Sequence, residues 1–209
     1  MSAVGQFPEE HFDAYYETVK HFNPSGEDGW AIVRSVAAWP KDNMFDKRVS
    51  AGKELCANRS TEQTGRILGV IAQYTDGDKL DRGVKVTKEL CPNKDAYRVI
   101  HMLNGVRQWP DDKVFDKRVN TAKEHGVEKM NLDQMIQFLD GIGTLRNDEL
   151  FDERVSSLKT INLKECNFNC YSDSISWVVF HLNEAKSPKK LTDLWEKDIR
   201  ELDLSLIHI

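Results

Sequence analysis

Two kinds of apolar spacing alternate along this chain of 209 residues. In the first kind, a large apolar residue leads and apolar or small residues follow it at helical intervals. Phe45 is followed by Val49, Gly52, Leu55 and Cys56; Phe115 by Val119 and Ala122; Phe151 by Val155, Leu158 and Ile161. This is one face of an α-helix. The second kind is more apolar throughout: "WAIVRSVAAW", "GRILGVIAQY", "YRVIHMLNGVRQW", "MIQFLDGIGTL" and "ISWVVFHL". Aligned on the closing Trp39, Tyr74, Trp109 and Leu145, these segments carry Val33, Leu68, Leu103 and Leu139 two turns earlier. Val36, Ile71, Val106 and Ile142 stand one turn earlier. Pro40 and Pro110 follow the two tryptophans, where a helix should stop. The pattern predicts helix–turn–helix units, each too small to bury both apolar faces alone.

The units recur. Their leading residues are Phe12, Phe45, Leu80, Phe115, Phe151 and, weakly, Leu191, a period of about 35 residues that is the signature of a repeat array. The expected fold is all-α, with tandem helix-turn-helix repeats stacked as a short α-solenoid so that neighbours cover each other's apolar faces. The chain divides into an N-terminal segment (1–11), a helical-repeat domain (12–190), a terminal helix that reads as truncated (191–203) and a six-residue tail (204–209). That tail, "LSLIHI", resembles the in-frame translation of a transposon-end adapter used in sequencing libraries. It is therefore set aside from fold reasoning, and a further domain downstream of Asp203 is an open expectation.

Within the first helices one pentapeptide repeats. "FDKRV" stands at Phe45–Val49 and again at Phe115–Val119, "FDERV" at Phe151–Val155 and "LDRGV" at Leu80–Val84. At about 100° per residue, the leading Phe, the Val and the following small residue form the buried stripe. The Asp lies on one flank and the Arg on the other. Two readings compete. One is a structural ladder in which the arginines meet carboxylates of an adjacent unit, drawn from Asp46, Arg48, Asp81, Arg82, Asp116, Arg118, Asp152 and Arg154. Planar Arg suits such a bidentate contact. The other is a row of basic groups for an anion, using those arginines or Lys53, Lys88, Lys123 and Lys159. Each of these lysines shares its flank with an Asp, and Glu54, Glu89 and Glu124 follow three of them. A flank so neutralised is a poor anion groove, so the joint is the expected role. Asp42, Asp112 and Asp148 precede three of these helices and are expected as N-caps.

The tetratricopeptide and ankyrin patterns are not met. The alternation does resemble a small helical-repeat family known only as a domain of unknown function. Phe45-Asp46-Arg48-Lys53, Phe115-Asp116-Arg118-Lys123 and Phe151-Asp152-Arg154-Lys159 carry the resemblance, which spans roughly Phe12 to Ala185. It implies tandem helices and brings no activity with it.

Charge and candidate chemistry narrow the function classes. The chain has 29 basic and 34 acidic side chains and a formal charge of −5, so it lacks the basic footprint of a nucleic-acid binder. Nothing at the N-terminus reads as a signal peptide, and no apolar run approaches the roughly 18 residues of a membrane span. A cytoplasmic protein is expected. Cys56 and Cys91 close first helices and read as buried thiols. Cys166 and Cys170 lack partners for a zinc set. His101 and His181 sit inside apolar helices. No P-loop, nucleophile elbow or paired-histidine metal motif occurs. "YTDGDKLD" resembles a calcium loop only loosely, because the ligand spacing and the closing Glu are missing. The expectation is a non-enzymatic scaffold for protein–protein interaction that uses no cofactor or metal. The alternatives are a module for acidic ligands or phospholipid surfaces, and a regulatory arm of a larger protein.

Overall fold

The computed structural model describes residues 12–26, 28–40, 42–92, 95–160 and 174–198. The expected N-terminal segment, Cys166, Cys170 and the adapter-like tail lie outside these residues. Among the described residues the chain is all-helical, with eleven α-helices and no strand. It divides after Gln108 into two compact units.

The first unit contains α1 (Phe12–His21), α2 (Gly29–Ala37), α3 (Phe45–Leu55), α4 (Thr61–Ile71), α5 (Gly77–Leu90) and α6 (Ala96–Gln108). The apolar segments α2, α4 and α6 lie side by side in that order, and α3 neighbours α5. The core comes from the predicted stripes: Ile32, Val36, Ile67, Leu68, Ile71 and Leu103 are fully or almost fully buried. The α2–α4 contact is unusually close. A Cβ on Gly65 would stand 2.6 Å from Ala31 Cβ and 3.0 Å from the Ala31 carbonyl carbon, and Ser35 donates to the Gly65 carbonyl at 2.8 Å. Neither obstacle is a flexible side-chain end. Gly65→Ala is therefore expected to cost about 1–3 kcal/mol through overpacking, read as a lower urea midpoint with an unchanged slope.

The second unit contains α7 (Phe115–Glu124), a 3-10 turn at Val127–Lys129, α8 (Leu132–Thr144), α9 (Phe151–Thr160), α10 (Ser174–Glu184) and α11 (Pro188–Asp198). Here α8 neighbours α10 and α9 neighbours α11. Gly126, at φ 64°, ends α7 in the left-handed region that glycine tolerates. Asn131 then starts α8 with a reciprocal capping box to Gln134, as Ser60 does for α4 with Gln63.

The closing aromatics of the second helices make one recurring bond. Trp39 Nε1 donates to the Leu68 carbonyl at 3.2 Å, Tyr74 Oη to Leu103 at 2.8 Å, and Trp109 Nε1 to Leu139 at 2.9 Å. Each ring is buried and reaches one helical hairpin onward. Phe45 packs edge-on to Trp39 at 6.0 Å and Phe115 to Trp109 at 5.6 Å. The predicted leading and closing residues thus meet at the turn between hairpins.

Candidate functional site

The repeated pentapeptide begins in the turn where a second helix closes and the next first helix starts. Its arginine sits at the edge of the buried stripe, about 40° from the small residue two turns into the helix. A long side chain placed there enters the core, and Arg48, Arg118 and Arg154 are 2%, 1% and 2% exposed. Each guanidinium then meets two kinds of acceptor.

The first acceptor is a carboxylate of the same turn. Arg48 Nη1 donates to Asp42 Oδ1 at 2.7 Å, and Arg118 Nη1 to Asp112 Oδ1 at 2.7 Å. Arg154 pairs with Asp148 through Nη1 and also through Nη2, at 3.0 Å to Oδ2. The second acceptor is the carboxyl end of the following second helix. Arg48 Nη2 donates to the Tyr74 carbonyl at 3.2 Å. Arg118 donates from Nε to Ile142 and from Nη2 to Leu145, both at 3.0 Å. Arg154 donates from Nε to Leu182 at 2.9 Å. These carbonyls have no helical partner or lie at the negative end of the helix dipole, so a cation there satisfies both needs. Arg118 also lies over the Phe151 ring, 5.4 Å from its centroid.

The ladder expected from sequence is corrected in its partners. Asp46, Asp81, Asp116 and Asp152 do not receive the arginines; all four are exposed. The neighbouring-helix contacts come instead from the lysine one position before the arginine. Lys47 Nζ meets Asp81 at 2.7 Å and Asp78 at 3.1 Å, and Lys117 Nζ meets Asp152 at 2.7 Å. These lysines and aspartates are exposed or half-exposed, so solvent screens each pair and it adds little to stability. The capping role of Asp42, Asp112 and Asp148 is corrected as well. Their Oδ1 atoms accept from the backbone N–H two residues on, at 2.9, 3.0 and 2.9 Å, forming the turn that holds the carboxylate against arginine.

The second copy, at Leu80–Val84, departs from the others. Gly83 stands where the arginine should be, and Gly77 where the Asp should be. A Cβ on Gly83 would come within 2.5 Å of Tyr74 Oη, so the tyrosine closes this space. Helix α5 starts three residues early, and Asp76 caps it by accepting from Lys79 N at 2.7 Å. Arg82 is half-buried within α5, one position before Gly83. Asp and Arg are thus lost together in one copy and kept together in three, a signal within the chain that could have paired them.

Lys53, Lys88 and Lys123 are exposed; the Lys159 side chain lies outside the described ones. Lys88 is engaged by Glu54 of the preceding hairpin. The groove between α3 and α5 is floored by Ala51 and Val84, and its rim alternates Lys47, Lys85 and Lys88 with Glu54, Asp81 and Glu89. Such a rim has no net sign to attract an anion. The Cys56 thiol is pushed up to about 12 by burial, so it is a packing group rather than a nucleophile. Among the described residues no three His, Cys, Asp or Glu side chains gather as a metal site, and no helix is long and apolar enough to cross a membrane.

The guanidinium of Arg48 holds the Asp42 carboxyl below its usual range, and Arg154 does the same for Asp148. A depressed folded-state value contributes stability that is present above the unfolded value near pH 4 and is lost as pH falls through the folded one. The Asp42→Asn/Asp148→Asn double variant should therefore lose less melting temperature than the parent between about pH 6 and about pH 2.5. Parallel melting curves at the two pH values check this. No family model, curated protein or solved structure matches this chain.

Proposed function

We propose that this chain is a non-enzymatic scaffold, a short α-solenoid of helical hairpins that binds a partner protein. The observation that carries the reading is the fate of the repeated charges. The arginines of the pentapeptide, its most distinctive residues, are consumed in buried bonds between hairpins. That motif therefore builds the array, and recognition falls to the surface that varies from one unit to the next. The solvent side of the second helices is such a surface. It presents Trp30 at the start of α2 and Tyr97 at the start of α6, 42% and 45% exposed. Arg66 of α4 lies 5.3 Å from the Tyr97 ring centroid. Exposed Trp, Tyr and Arg held on rigid helices are the residue types that anchor protein interfaces. The resemblance to the helical-repeat family of unknown function fits the same architecture.

The test is affinity capture from the source lysate at low salt, using the parent and the Trp30→Ala/Tyr97→Ala variant at matched helical content. The expected result is a defined partner retained by the parent and lost by the variant. A parent that retains nothing, or a partner indifferent to the variant, overturns the reading.

A further inference from the structure

The second helices of the two units carry opposite charge on their solvent side. In the first unit α2, α4 and α6 contain Arg34, Arg66, Arg98 and Arg107 against one acid, Glu62. Arg34 and Arg66 are exposed, and Arg66 reaches Glu62 at 2.8 Å. In the second unit α8 and α10 contain Asp133, Asp140 and Glu184 and no lysine or arginine, and Glu184 is paired with Arg146 just past α8. Asp133 and Asp140 are exposed.

The apolar content of the two faces also matches. Trp30 and Tyr97 stand out of the basic face. In α10 Phe180 is 60% exposed, the most exposed of the large hydrophobic side chains among the described residues. Asp140 and Phe180 occupy equivalent places, each two residues before the carbonyl, Ile142 or Leu182, that accepts an arginine Nε. They therefore lie on one side of two neighbouring helices. A face with aromatic anchors among arginines and a face with an aromatic anchor among carboxylates satisfy the usual composition of an interface core and its charged surround.

We propose that this chain self-associates head to tail. The α2–α4–α6 face of one molecule receives the α8–α10 face of a second copy, Arg34 and Arg66 opposite Asp133 and Asp140, with Phe180 packed against Trp30 or Tyr97. The contact is heterologous, because different patches meet, so it propagates beyond a dimer unless the rotation closes a ring. This deepens the scaffold reading and shares with it the second-helix faces and their Trp30 and Tyr97 anchors. Self-association of purified protein and capture of another protein succeed or fail separately.

The test is sedimentation velocity on the full chain over a wide concentration range. The parent should show a mass that rises with concentration and an association roughly tenfold or more weaker at about 500 mM than at about 50 mM NaCl. The Arg34→Glu/Arg66→Glu and Asp133→Arg/Asp140→Arg variants should each sediment as monomers. Their equimolar mixture should associate again, since each reversed face meets its reversed complement. The salt series on the parent does not depend on the variants folding. A monomeric parent at every concentration, association that survives either reversal, or a mixture that stays monomeric overturns the proposal.

Discussion

Replacing Arg118 by alanine is expected to cost about 3–5 kcal/mol, because it removes one side of a buried ion pair and leaves the other uncompensated. Asp112 would lose its guanidinium partner beside a cavity, and the Ile142 and Leu145 carbonyls would lose the N–H groups that now meet them at 3.0 Å. Arg118→Lys should recover little. An ammonium presents a point charge, whereas three acceptors here are met by separate nitrogens of one planar fork. Urea denaturation of the two variants beside Lys53→Ala decides the matter. Lys53 is exposed, and its loss should fall within about 0.5 kcal/mol of the parent. Equal, small losses for Arg118→Ala and Lys53→Ala would refute the buried joint. Arg48 should be the milder site, because its Nε has no acceptor while those of Arg118 and Arg154 do.

Trp109→Ala is expected to be similarly severe, about 3–5 kcal/mol, as the loss of a large ring from the interior. Trp109 is fully buried, packs on Phe115 and donates to Leu139. Trp109→Phe separates volume from hydrogen bonding. It keeps most of the ring and removes only the indole bond to the Leu139 carbonyl, for about 0.5–1.5 kcal/mol. Melting curves for the pair give the split, and a Phe variant as stable as the parent would show that the indole N–H contributes nothing. The neighbouring Gly143 is part of the same fit, since a Cβ there would come within 2.5 Å of Trp109 Cδ1.

The helical content, the alternation of two helix types and the leading and closing residues were all legible in the sequence, because they rest on apolar spacing. What the spacing could not rank was the arginine. On a helical wheel its position reads as a flank, and flanks are ordinarily wet. Only the length of the side chain and the open carbonyls of the following helix turn that flank into an interior site. The carboxylates were misassigned for a related reason. An Asp just ahead of a helix has two uses, capping and pairing, and the turn at Asp42 selects pairing by spending its backbone contact two residues on. The capping Asp76 was hidden by a neighbouring Asp in "TDGDKLD", where composition gives no reason to prefer one over the other. The opposed charges of the second-helix faces were spread thinly along the chain. They become a pattern only when α2, α4 and α6 are seen side by side.

The arginine joint addresses main-chain carbonyls on its receiving helix, and every amino acid supplies one. For this bond alone, a hairpin has no need to recognise the side chains of whatever follows it. It is a general fitting laid beside the matched ones, the close approach of Gly65 to Ala31 and of Gly143 to Trp109. The solvent side of the second helices is therefore free to vary while the arginine bonds stay the same.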